Sequence, residues 1–310
     1  MAATREHGTI AAVVVTRNRL ALLQECVGAI RQQTRTPDEI IVIDNGSDDD
    51  TADWLAQQTD ATAVRQENLG SAGGFHSGIK TAYEHGHDWI WCMDDDGLPS
   101  PTCLEQLVKL DRSDLLFRAP LVLDRADRET LAFELGLDAD GNPLTTKAGA
   151  LAVANDGVIP DVACPFNGIL LHRDLIAKIG LPKAEMFLWG DEVEYALRSR
   201  RAGSPPATCV QAIHFHPRDR MKVRNFLFCG RSLGVNFTGQ PFRDYLIVRN
   251  QAYIIRVYLG WWKALKHTVR YTLFHLLESG PVAAARAACA GLAGMCGLLK
   301  GHKKFLTQKP

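Results

Sequence analysis

The stretch WCMDDDGLPS, residues 91–100, sets Asp94, Asp95 and Asp96 side by side, straight after an apolar segment and before a turn. Neighbouring carboxylates repel, so they persist where a cation compensates them. Oxygen ligands suit hard divalent ions such as Mg²⁺ and Mn²⁺, which commonly link one or two carboxylates to substrate phosphates. In an extended segment Asp94 and Asp96 point to one side and Asp95 to the other. The outer pair can then share a metal while Asp95 faces a sugar. A solvated acidic turn accounts for the same three residues without any ligand. A second acidic group, GDEVEY at 190–195, places Asp191 and Glu192 at the start of a helical stretch that continues to Arg200. A carboxylate within hydrogen-bond reach of a hydroxyl can act as its general base. Acidic residues also favour a helix N-terminus for purely structural reasons. His214 and His216 alternate with Ile213 and Phe215 on an expected strand, so both point to one face. One neutral imidazole can complete a metal site with Asp94 and Asp96, although a structural role explains a lone histidine as well.

Two further stretches suit a phosphorylated ligand. NLGSAGGF, 68–75, is rich in glycine and opens a helix. Glycine lets backbone approach a ligand closely and a helix N-terminus favours phosphate, whereas a plain tight turn needs the same residues. Asp44 ends an apolar run. Its carboxylate can accept from a nucleobase N–H or a ribose hydroxyl, or it can serve as an Asx cap for the DNGSDDDT segment.

These groups need elements to position them. TIAAVVV (9–15), EIIVI (39–43), ATAVRQE and HDWIWCM read as strands, separated by the helical patterns LALLQECVGAIRQQ, ADWLAQQT and GFHSGIKTAYEHG. Such an alternation predicts an α/β fold, a mostly parallel sheet with crossover helices. Ligands in such sheets bind beyond the carboxyl ends of the strands. Thr16–Arg19, Asp44–Asn45, Asn68–Gly74 and Asp94–Asp96 each follow one of the four strands, so they are expected on one rim. Farther along, RAPLVLD and ETLAFELG are candidate strands, PDVACPFNGILLHR reads as strand–loop–strand, LIAKIG as a short helix and ATCVQAIHFH as a strand.

Residues 253–277 carry Val257, Trp261, Ala264, Leu265, Val269, Leu273 and Leu276 at helical spacing, with Lys263, Lys266, His267 and Arg270 as a basic side. A basic amphipathic helix with adjacent tryptophans can lie in a membrane interface, and it can equally pack on a catalytic domain. The stretch 281–299 is Ala/Gly-rich with one charge, Arg286, which makes it a weak candidate span and favours peripheral attachment. The pattern divides the chain into a catalytic domain at 1–252 and a helical region at 253–310.

The whole chain of 310 residues is 46% hydrophobic with a formal net charge of zero. That describes a globular protein and gives no electrostatic case for nucleic acid as a general partner. Eight cysteines are scattered without a CxxC pair, which points to reduced core thiols in a cytosolic setting and away from structural zinc. The opening MAATREHGT carries no apolar signal region.

In order along the chain, VVVTRNR, IIVIDNGSDDDT, NLGSAGGF, WCMDDDG, FNGILL, GDEVEYALR, HFHP and YLIVRN resemble the inverting glycosyltransferases of family 2, over roughly residues 9–255. Within that family the set looks most like the bacterial galactofuranosyltransferases, with rhamnosyltransferases as near neighbours. The resemblance implies a GT-A fold, a UDP-sugar donor, Mn²⁺ or Mg²⁺ as cofactor, and a lipid-linked or polysaccharide acceptor at the inner face of the cytoplasmic membrane. It implies that Thr16, Arg19 and Asp44 hold the nucleotide, and that Asn68 and Gly70, with Gly73 and Gly74 behind them, line the donor diphosphate and sugar beside Asp95. Asp94, Asp96 and His216 match the metal ligands. The usual base position is Glu192, where Asp is the common residue, so Asp191 and Glu192 share the assignment. Trp189 is a candidate acceptor platform or a packing residue. Rhamnosyl transfer from a deoxythymidine diphosphate sugar is the nearest alternative. A non-catalytic sugar-binding or scaffold protein of envelope assembly is the alternative from another class. A nucleotidyltransferase lacks support, because no Gly-rich, basic loop follows the first strand.

Overall fold

The computed structural model describes residues 8–110, 112–137, 140–164, 166–218, 222–228 and 230–300. Among these, one compact unit falls within Met1–Pro182 and Tyr195–Asp219, and the other within Lys183–Glu194 and Arg220–Pro310.

In the first unit, β1 (Ile10–Thr16), α1 (Leu20–Arg31), β2 (Glu39–Asp44), α2 (Thr51–Leu55), β3 (Thr62–Arg65), α3 (Gly70–Glu84) and β4 (Trp89–Asp94) follow the expected alternation. β1 pairs in parallel with β2 and β4, and β2 with β3. Next come β5 (Leu98–Pro99), α4 (Cys103–Val108), β6 (Phe117–Asp124), α5 (Lys147–Val153), β7 (Val158–Pro160), β8 (Ile169–His172), α6 (Arg173–Ile179), α7 (Asp191–Arg201, whose first four residues are assigned to the second unit) and β9 (Ala207–His216). The sheet order is β3-β2-β1-β4-β8-β6-β9-β5, with β7 on β9. β8 runs antiparallel to β4 and β6, which makes the sheet mixed.

β1 is buried along its whole length because helices cover both faces. Ile10, Ala12 and Val14 pack with Leu23, Cys26 and Val27 of α1, while Ala11, Val13 and Val15 pack with Phe75 and Ile79 of α3. Helix α3 sits very close to β1. A Cβ built on Gly74 would lie 2.4 Å from Val15 Cγ1, and one on Gly78 2.3 Å from Val13 Cγ1.

In the second unit, β10 (Lys222–Phe228) and β11 (Arg231–Phe237) form an antiparallel ribbon, followed by α8 (Pro241–Leu259), α9 (Trp261–Ser279) and α10 (Pro281–Met295). α10 is Ala/Gly-rich because it packs tightly. A Cβ on Gly294 would come within 2.0 Å of the Arg249 carbonyl oxygen, and one on Gly291 within 2.3 Å of Thr268. Among the described residues no helix is long and apolar enough to cross a membrane.

ETLAFELG forms isolated bridges, Leu123 to Leu131 and Thr130 to Thr146, instead of a strand. Its apolar residues Leu131, Ala132 and Leu135 are buried against β6, so they follow packing without a ladder. The stretch 253–277 is not one helix: Gly260, at φ 96°, separates α8 from α9. The expected division at 252/253 falls inside α8. His267 does not belong to a basic side. It is buried, and burial, helped by Arg270, pulls its imidazole down to about 4. Five cysteines are buried, but Cys289 and Cys296 are exposed, and Cys229 lies outside the described residues. The ribbon itself was not anticipated, because Val223 and Leu227 are exposed while Phe226 is buried, which blurs the alternation.

Gly78→Ala should destabilise the protein by about 1–3 kcal/mol through overpacking against Val13, read as a lower urea midpoint at unchanged m-value.

Candidate functional site

The four strand ends do converge, and side chains tie them together. Thr16 Oγ1, at the end of β1, donates to Asp95 Oδ2 at 2.8 Å. Arg19, where the chain enters α1, donates through one nitrogen to Asp95 Oδ1 and Asp96 Oδ2, both at 3.2 Å. At the end of β2, buried Asn45 donates to the Gly70 carbonyl at 2.8 Å and accepts from Gln66 and Leu69 at 2.9 and 3.1 Å. Asn18, at φ 54°, bonds across to the β2 loop through Ser47 and Asp48. Asn45 is on the expected rim, and its tie to the start of α3 is new. A buried amide at the end of an apolar strand is its only sequence signal.

The acidic triplet is not extended beyond Asp94. Gly97 N–H donates to the Asp94 carbonyl at 3.1 Å, closing a turn over Asp94–Gly97. Asp94 and Asp96 therefore converge through the turn and not through the pleat. One ligand atom from each of Asp94, Asp96 and His216 lies within 4.8 Å of the other two. His216 Nε2 is 3.0 Å from Asp96 Oδ1, and its Nδ1 is 2.8 Å from the Pro217 carbonyl. With Nδ1–H donating to that carbonyl, Nε2 and the carboxylate oxygen face each other as two acceptors. Only a proton or a cation between them relieves that. The donor set, two carboxylate oxygens and one imidazole nitrogen, fits a divalent ion.

Charge is distributed unevenly over the triplet. Burial holds the Asp95 carboxyl above the ordinary range, against the opposing pull of Arg19 and Thr16. Burial pushes Asp96 the same way, but its bond to His216 and the charges of His216 and Arg19 outweigh it, so Asp96 lies below the ordinary range. Asp96 is thus the more readily ionised of the two.

His214 has a different part from His216. It is fully buried, and burial, reinforced by His216, pulls it down to about 3. It is a neutral wedge between two glycines. A Cβ on Gly97 would lie 2.5 Å from its Nε2, and one on Gly168, at φ 79°, 2.8 Å from its Nδ1. The glycines of DDDG and FNG are therefore explained by one ring on β9.

The remaining expected donor residues have local partners. Asp44 Oδ1 accepts from Ser47 N–H at 2.8 Å and Oδ2 lies 3.6 Å from Arg65, so Asp44 closes a local turn and caps no helix, the N-cap of α2 being Asp50. Asn68 Oδ1 accepts from Gly70 N–H at 3.0 Å, and Gly70 sits at φ 71°, where glycine is favoured. Gly73 and Gly74 are explained by packing, since their Cβ positions would meet Leu69 and Val15.

In the second unit, Asp191 is buried and Glu192 half-buried at the start of α7. Glu192 Oε2 accepts from Gly190 N–H at 3.0 Å. Trp189 sits at φ 60° and packs on the core cluster of Ile247, Val248 and Phe274, with Arg243 over its ring at 5.8 Å. Arg249 and Asn250, quoted in the sequence only within YLIVRN, are fully buried and bond to the loop that precedes the acid pair.

The chain is similar to known proteins. The model of the family described as Glycosyl transferase family 2 matches residues 11–114, which span β1 to the loop after α4. The chain is 32% identical to galactofuranosyltransferase GlfT1 of Mycolicibacterium smegmatis, over 79% of this chain and 82% of that protein. It is 34% identical to galactofuranosyltransferase GlfT1 of Mycobacterium tuberculosis, over 80% and 82%. Among solved structures, GalNAc-T7 with UDP, GalNAc and Mn²⁺ superposes with a TM-score of 0.58 at 13% identity, covering 98% of this chain and 57% of that one. At that identity the likeness is one of fold, and it agrees with the expected GT-A architecture. A mixed, mostly parallel sheet whose strand ends gather an Asp-Asp-His cluster, with relatives at this identity over four-fifths of the chain, makes the protein an enzyme of glycosyl transferase family 2.

Proposed function

We propose that the enzyme transfers galactofuranose from UDP-galactofuranose to a hydroxyl of a lipid-linked glycan in cell-envelope synthesis. The observation that carries the proposal is the convergence of Asp94, Asp96 and His216 on the rim of the sheet, in a chain whose relatives are galactofuranosyltransferases. Asp94, Asp96 and His216 would hold Mn²⁺ or Mg²⁺, which when bound offsets the charge of the leaving diphosphate.

Thr16 and Arg19 keep the acidic turn in place, and Arg19 is exposed enough to reach a phosphate as well. Asp44, Asn68, Gly70, Gly73 and Gly74 shape the nucleotide and diphosphate side, with Asp95 beside the sugar. One carboxylate of the Asp191–Glu192 pair accepts the acceptor hydroxyl's proton. The new C–O bond then forms at the anomeric carbon as the bond to the β-phosphate oxygen breaks. UDP leaves with the electron pair and the configuration inverts. Trp189 lies two residues before the pair and offers a ring face for an acceptor sugar.

The acceptor side is supported by α9. Its inward face carries Ala264, Tyr271 and Phe274, while Trp261, Trp262, Leu265, Val269 and Leu276 are exposed, Trp262 at 77%. Exposed Lys263 and Lys266 flank this stripe. An apolar face bordered by cations suits the interface of an anionic membrane. The enzyme is therefore read as a peripheral protein of the cytoplasmic membrane face.

Asp96→Ala and His216→Ala should each weaken Mn²⁺ binding at least about tenfold, read from the free-Mn²⁺ electron paramagnetic resonance signal. UDP with Mn²⁺ should raise the melting temperature of the wild type, and dTDP should not. The reverse preference would move the donor to rhamnose, and no shift with either nucleotide would count against catalysis. Trp262→Ala with Lys266→Glu should reduce co-sedimentation with phosphatidylglycerol liposomes. Equal sedimentation of variant and wild type would rule out α9 as the contact.

A further inference from the structure

The loop before the acid pair is strained. Leu188 N–H donates to the Met186 carbonyl at 2.8 Å, closing a γ-turn on Phe187, which has φ 65° and ψ −58°. That turn is the rare, strained form. Trp189 at φ 60° and Gly190 at φ 92° follow directly. Two bulky aromatic residues at positive φ persist only where the surroundings over-determine them, and such strain gathers at functional sites.

The over-determining groups are Arg249 and Asn250 of α8. Asn250 Nδ2 donates to the carbonyls of Met186, Leu188 and Trp189 at 2.9, 3.0 and 2.7 Å. Arg249 Nη2 donates to Glu185 and Met186 at 3.1 and 3.0 Å, and Nη1 to the Leu299 carbonyl at 2.8 Å. Arg249 Nε donates to Asn250 Oδ1 at 2.9 Å, which fixes which way the Asn250 amide faces. Both side chains are fully buried, and burial pulls the guanidinium down to about 10, so it stays charged at neutral pH. Burying these polar groups is costly unless each bond is made. Helix packing alone would be served by apolar residues.

The geometry points to a role beyond packing. The peptide between Trp189 and Gly190 is held on both sides. Its carbonyl accepts from Asn250, and its N–H donates to Glu192 Oε2. We propose that Arg249 and Asn250 are positioning residues for transfer, orienting the Trp189–Gly190 peptide so that its N–H fixes the Glu192 carboxylate at the start of α7. This rests on the reading of Asp191 and Glu192 as the base. Arg249 and Asn250 touch no reacting atom in this scheme; they act through the loop.

The test uses the full chain and compares wild type with Asn250→Asp, Arg249→Lys and a core control of the same unit, Phe274→Leu. Asn250→Asp keeps the shape but turns the donor that faces three carbonyls into an acceptor. Arg249→Lys keeps the charge but cannot reach every carbonyl at once. Displacing a catalytic group by about 1 Å costs on the order of 100-fold in rate. At a temperature where all variants are folded, kcat should fall by about that factor in Asn250→Asp and in the same direction in Arg249→Lys. The KM for the UDP-sugar and the Kd for UDP with Mn²⁺ should stay near wild type, and Phe274→Leu should keep its kcat despite a lower melting temperature. Wild-type kcat in both polar variants, or an equal loss in Phe274→Leu, would overturn the proposal. Asp191→Asn and Glu192→Gln in the same assay separate the two readings. If Glu192→Gln transfers normally this proposal falls, and if Asp191→Asn does so as well the base assignment fails with it. If either abolishes transfer while the polar variants remain active, only the positioning role fails.

Discussion

Three carboxylates in succession at the end of a buried strand repel one another, and the first unit is arranged around relieving that repulsion. Asp95 is buried and its oxygens are bound by Thr16 and Arg19. Arg19 also reaches Asp96, and Asp96 reaches His216. Each partner comes from a different element: β1, the entry to α1, and β9. A parallel sheet brings such ends together, because every crossover returns the chain to the same edge. A divalent ion among Asp94, Asp96 and His216 would complete the compensation that Arg19 begins. Coulomb attraction on this scale depends strongly on local dielectric, so a half-buried rim is a place where both metal and diphosphate charge can be matched.

Close approach is the second recurring theme. Gly74 and Gly78 let α3 press on β1, and this carries the N-terminus of α3 up to Asn45. Gly97 and Gly168 admit the neutral His214 ring, which sits under the acidic turn. Gly294 lets α10 touch the backbone of α8 at Arg249. In each case a missing Cβ decides where a polar group ends up. The glycine-rich segment NLGSAGGF is thus partly a packing device, with Gly70 at the backbone angle only glycine takes easily.

The second unit has another economy. Its three helices bury the aromatic residues Tyr271 and Phe274 and, within the same core, a charged Arg249 and an amide Asn250. The buried polar pair is satisfied by carbonyls, and most of these belong to one short loop. That loop stores backbone strain immediately before two carboxylates at a helix N-terminus, where negative charge is favoured. Outward, α9 exposes Trp262 and Leu265 beside lysines, so one helix has a buried face and an exposed apolar one.

Local sequence suffices for the alternation of strands and helices from Ile10 to Asp94, the rim positions of Thr16, Asp44, Asn68 and Asp94, and the family. Short apolar runs, period-3.6 patterns and strand-end polarity are local properties that survive without coordinates. Tertiary structure alone decided that Asp94 and Asp96 meet through a turn, and that His216 joins them while His214 is a wedge. It also moved His267 from a basic side to the core, broke 253–277 at Gly260, and bound Arg249 and Asn250 to the loop before the acid pair. Those outcomes depend on pairings between distant residues, such as Thr16 with Asp95, 79 positions apart. No local periodicity encodes such a pairing. It is set by which faces bury together, and only the packed chain resolves that.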